Sequence, residues 1–144
     1  MNPILKNILA VILAWICGSA VNMGLIMIGD AVIGSPDGVD PSNMESIKEN
    51  MHLFSPKHFI VPFIAHALGT LVGAFVVAKV AANNKMKFAI GIGVLFLIGG
   101  IIMAVSVGGP WWFLILDLGL AYIPMALIGG RMALGRPALR PMDD

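Results

Sequence analysis

Asn22, His66 and Asp117 each interrupt a run of apolar side chains, and their side chains carry the chemistry that the runs around them lack. An imidazole and a carboxylate can share a proton, and a carboxamide beside them can both donate and accept. Three uses are open to such a trio. It can fasten helices together as buried hydrogen bonds. It can bind a proton or a small ligand. It can catalyse or hold a metal, although one His and one Asp are a thin ligand set. An aspartate inside an apolar helix costs about 2.5–3.5 kcal/mol on insertion scales, so Asp117 needs protonation or a partner. His66 is the titratable residue at its level, and Asn22 is the expected neutral third member of an intramembrane polar cluster.

The elements that must position these residues are four apolar runs, at about 8–28, 59–80, 88–107 and 111–130. Each has the roughly 20 residues that a helix needs to cross about 30 Å of hydrocarbon. Helix is the form expected, because lipid leaves no backbone group free to be unpaired. With a rise of 1.5 Å per residue, Asn22, His66 and Asp117 all fall roughly 10 Å inside the same boundary. Gly99 and Gly100 of the third run lie at that level and leave room there.

Composition supports the membrane reading. Of 144 residues, 58% are hydrophobic and 12% charged, against roughly 45–50% and about 25% in soluble domains. The mean hydropathy is +0.92. A globule this small has too little interior to hide so much apolar surface. A soluble enzyme, a nucleic-acid binder and a disordered chain are all disfavoured, and a net charge of +1 gives no footprint for nucleic acid. Cys17 is the only cysteine, so an intrachain disulfide and a CxxC redox pair are excluded. The ten methionines are scattered and read as adaptable packing rather than a copper site. No cofactor and no metal site are expected.

Charge gives the orientation. Lys79, Lys85 and Lys87 lie between the second and third runs, Lys6 precedes the first, and Arg131, Arg136 and Arg140 follow the fourth. Asp30, Asp37, Asp40, Glu45 and Glu49 lie between the first and second, against Lys48 and Lys57. The positive-inside rule then places both termini and the Lys85 turn in the cytoplasm, in a bacterial inner membrane or plasma membrane. Trp111, Trp112 and Phe113 would form an aromatic belt at the outer interface. The first run, about 21 residues, is too long for a signal-peptide core and reads as a retained helix.

The outer loop, 29–58, carries a turn at Gly34–Gly38 and a capping-box pattern at Ser42 and Glu45. Met44, Ile47, Met51 and Phe54 recur at helical spacing. They predict a short amphipathic helix, lying on the membrane surface or capping the bundle top. His52 and His58 read as solvated loop residues, and the tail 131–144 as an unstructured cytoplasmic segment.

Small residues supply the packing faces: Ala14, Gly18 and Asn22; Ala65, Gly69 and Gly73; Gly93 and Gly100; Asp117 and Ala121. Helices in lipid associate through such stripes, either within one chain or between two copies. Pro124 should kink the fourth run and free a carbonyl near residue 120. Ser19, Thr70, Ser106 and Tyr122 read as ordinary helix residues.

The fold expected is an all-α integral membrane protein: one antiparallel four-transmembrane-helix bundle with a short amphipathic helix in the outer loop. With no nucleophile–base pair or metal cluster visible, the leading expectation is a non-enzymatic accessory or scaffold subunit. It would act through helix faces and the acidic loop, with membrane lipid and either a second copy or another membrane protein as partners. The alternative is a proton-linked carrier of a small solute, working through Asn22, His66 and Asp117.

Overall fold

Helix α1 runs Pro3–Ile33. Asn2 caps it by accepting from the Ile4 N–H, and Pro3 occupies the first turn, where a missing N–H is harmless. No breaker follows until Gly34, whose φ of 72° ends the helix. The helix is therefore longer at both ends than its apolar run, about 46 Å at the standard rise. The remaining elements are α2 (Met44–Glu49), a 3-10 turn (Met51–Leu53), α3 (Lys57–Val80), α4 (Lys85–Val107), α5 (Trp111–Leu120) and α6 (Ile123–Leu134). The computed structural model describes residues 1–135, and among them every regular element is helical. The tail beyond residue 135, with Arg136 and Arg140, lies outside the described residues.

Four segments are long and apolar enough to cross a membrane: α1, α3, α4 and the α5–α6 pair. Their packing fixes an up-down-up-down order. Asn7 accepts from the Ala82 N–H (2.8 Å) and donates to Asn83 (2.9 Å), clasping the start of α1 to the α3–α4 turn. Gly29, near the other end of α1, packs on Val61 near the start of α3. Along α4, Gly93 and Gly100 lie against Ala126 and Tyr122. The end carrying segment 34–56 is here the loop end, and the end carrying the α3–α4 turn is the turn end.

Helix α3 is the hub, in contact with α1, α4 and α6. Its backbone approaches α1 closely because the facing residues are small. A Cβ at Gly69 would sit 2.9 Å from the Gly18 carbonyl oxygen and 2.9 Å from the Asn22 Cβ. A Cβ at Gly73 would lie 3.1 Å from the Ala14 carbonyl. Gly18 faces Gly69 and the Phe96 ring in turn. Alanines 10, 14, 74, 78, 89 and 126 form the buried core with Val77 and Ile92. Around this core the outward faces are apolar. Only 11% of the apolar window of α1 is buried, against 39% of that of α3.

The loop-end segment departs from the expected capping box. Asn43, not Ser42, caps α2, accepting from the Glu45 and Ser46 N–H groups. Ser42 is drawn away because its hydroxyl and N–H both donate to Asp40. Those two bonds, the hydroxyl's first, hold the Asp40 carboxyl below its ordinary pKa.

Candidate functional site

His66 is on the third turn of α3, and Asp117 is near the end of α5. The His66 Nδ1 lies 2.9 Å from Asp117 Oδ1 and 3.0 Å from Oδ2, a bridge across the carboxylate. The Asp117 side chain is 5% exposed and that of His66 is 21% exposed. With Nδ1 carrying the shared proton, Nε2 is the nitrogen left for another partner. Thr70 donates to the His66 carbonyl at 2.8 Å, an ordinary bond to its own helix.

The third member of this cluster is Tyr122 rather than Asn22. The Tyr122 hydroxyl donates to Asp117 Oδ2 at 3.1 Å, and its ring stacks on the His66 ring with centroids 5.7 Å apart. A regular helix would separate residues five apart by about 140° around its axis. The contact exists because the fourth span is not one helix. It breaks at Ala121 and Tyr122, and α6 begins at Ile123 with Pro124 in its first turn. Pro124 has no N–H to offer the Leu120 carbonyl. The break turns Tyr122 back beneath Asp117, and the space at Gly100 receives its ring. A Cβ at Gly100 would overlap the Tyr122 hydroxyl. The room expected beside Gly100 is thus taken on one side by the Tyr122 ring, while Gly100 also lines the loop-end cavity. Ala121 is fully buried, in a cluster with Ala67 and Tyr122.

Asn22 stands apart from the cluster. Its Oδ1 is buried and has no hydrogen-bond partner among the described residues. An unmet buried polar atom costs about 1–3 kcal/mol. Asn22, His66 and Asp117 nevertheless share one space: all three line a cavity of about 490 Å³ at the loop end. Its walls come from α1, α3, α4 and α5. Its cover is the face of α2 and the following turn that carries Met44, Ile47, Met51 and Phe54. That apolar stripe points into the bundle mouth. His58 lines the mouth as well, half-buried, with its Nδ1 accepting from the Ser55 N–H at 3.0 Å. His52 is exposed. Of the expected belt, Trp111 is exposed, whereas Phe113 is buried and packs on Phe59 with centroids 4.8 Å apart.

Among the described residues no group of three His, Cys, Asp or Glu is placed to hold a metal ion. The chemistry available is proton sharing between His66 and Asp117, together with hydrogen bonding to whatever enters the cavity. Sequence reasoning overlooked Tyr122 and Asn7. The break that recruits Tyr122 was signalled only by Pro124. No family model, curated protein or solved structure matches the chain.

Proposed function

We propose that the chain is a multi-pass integral membrane protein that binds a small molecule in its loop-end cavity and couples binding to the proton on the His66–Asp117 pair, as a proton-linked carrier does. The observation that carries this reading is the place of the His66–Asp117 pair in the wall of a cavity that Asn22 also lines. A pair serving only to fasten helices would be expected to be sealed away. Here His66 keeps an open edge. The cavity size falls within the range of about 300–1,000 Å³ usual for small-molecule sites.

Orientation is part of the proposal. Lys6, Lys79, Lys85 and Lys87 gather near the turn end, and the acids of segment 30–49 lie at the loop end. The positive-inside rule puts the turn end in the cytoplasm and the cavity mouth outside.

An accessory subunit that gripped its partner through the small-residue stripes would keep them free. Gly18, Gly69, Gly73 and Gly100 are all covered by neighbours within this chain. The faces that remain for a partner are the outward apolar sides of the spans, on α1 and α4 above all, which lipid can cover equally well.

Native mass spectrometry of the protein, gently extracted from its own membrane, tests the choice. The expected result is a retained non-peptide mass that is lost when Ala104, a cavity-wall residue, is changed to Phe. A stoichiometric second polypeptide without any small mass would support the accessory reading and overturn this one.

A further inference from the structure

Charge inside the cavity narrows what it can take. Two carboxylates line it, Asp117 at the floor and Asp30 nearer the mouth, and no Lys or Arg lines it among the described residues. The groups facing Asp117 are His66 from α3 and Tyr122 from the α5–α6 break; α1 brings the neutral Asn22, and α4 brings Gly100 and Met103. Among the described residues the other titratable lining groups are Asp30 and His58, both nearer the mouth. When His66 is neutral, no cationic side chain that lines the cavity among the described residues balances Asp117.

The hydrogen-bonding inventory has the same bias. A carboxylate offers about four lone-pair sites, of which Asp117 uses those facing His66 and Tyr122. Asn22 Oδ1 also lacks a donor among the described residues, but it is closed off and adds nothing to the accessible inventory. The remaining lone pairs of the Asp117 carboxylate call for a ligand head that donates. The rest of the wall is apolar and adaptable: Met23, Met44, Met51 and Met103, with Phe54 and Phe59. Methionine fits varied shapes, and aromatic faces favour a cation. The loop-end segment also carries Asp37, Asp40, Glu45 and Glu49 against Lys48 and Lys57, a net negative charge that disfavours an anion.

We infer that the cavity takes a lipophilic amine, with its ammonium on the Asp117 carboxylate and its apolar body among the methionines and phenylalanines under α2. This inference rests on the small-molecule reading above and adds the chemical class. The protonated amine supplies the donors and the positive charge, and it takes over the place of a proton on His66 as the partner of Asp117. Amine entry and proton departure are then coupled without any covalent step.

The test compares three probes with one alkyl chain and different heads: dodecylamine, dodecanol and dodecanoate. Binding is measured to the whole protein in zwitterionic nanodiscs, with empty nanodiscs subtracted. The amine is expected to bind at least about tenfold more tightly than the alcohol, as a charge-assisted bond exceeds a neutral one, and the acid most weakly. In Asp117→Asn the preference of amine over alcohol should fall to about one, with alcohol binding retained. Equal or stronger binding of alcohol or acid by the unaltered protein would overturn the amine assignment but leave the cavity as a binding site. Failure of all three to bind would overturn the small-molecule reading itself. Should Asp117→Asn not fold, the head-group ranking in the unaltered protein decides alone.

Discussion

His66, Asp117 and Tyr122 form a chain of two hydrogen bonds in which Asp117 is the shared acceptor. Removing either donor leaves a buried carboxylate less satisfied, so each loss should exceed that of an exposed bond. The pair should also couple. In a cycle of His66→Ala and Asp117→Asn, read by thermal stability in detergent, the single losses should not add, and the interaction should be about 1–2 kcal/mol. Strict additivity would show that the two residues do not act as partners. Depth counting along four apolar runs is enough to bring His66 and Asp117 to one level, because helical rise is constant. It also brought Asn22 to that level, but level alone does not fix rotation about the helix. Asn22 lies against Gly69 and lines the cavity, but its Oδ1 is buried without a partner among the described residues and its carboxamide does not bond the carboxylate.

The α5–α6 break determines the site's third member. Tyr122 reads as an ordinary residue from its position, because five residues along an unbroken helix point elsewhere. Pro124 predicts a kink, but not how far the chain turns at Ala121 and Tyr122. Pro124→Ala restores an N–H that can reach the Leu120 carbonyl and rejoin the two helices. In that background Tyr122→Phe should cost nothing, whereas in the unaltered protein it should cost about 1 kcal/mol of stability. An equal cost in both backgrounds would show that the break does not hold Tyr122 on Asp117. At the loop end, the competing bonds of Ser42 explain why a capping-box pattern yielded to Asn43. The Asp40 turn should have a matching pH signature. Its carboxyl pKa is lowered in the folded chain, so the turn's contribution is present above the ordinary carboxylate range and lost as pH falls through the lowered value. The Ser42 amide resonance should report that loss in an NMR titration. A resonance unmoved across the acid range would mean that the bond is absent in solution.

For the whole molecule, composition and run length made four long apolar helices legible, because crossing length and hydropathy are properties of segments. The cavity was not legible. It arises from how far the loop end of α1 stands from α4 and α5 and from α2 folding over the gap, neither of which is written in any local pattern. Met44, Ile47, Met51 and Phe54 showed an apolar stripe but not what it would cover, and in the structure it covers the mouth. The central claim joins three properties of the assembled chain: it spans a membrane, the mouth faces outside, and the cavity reaches down to the polar floor. Asn22→Cys in a Cys17→Ser background tests them together in intact cells. A membrane-impermeant cationic methanethiosulfonate added from outside should label residue 22, and dodecylamine should slow the labelling. Labelling only after the membrane is opened, or none at all while the protein remains folded, would contradict the account.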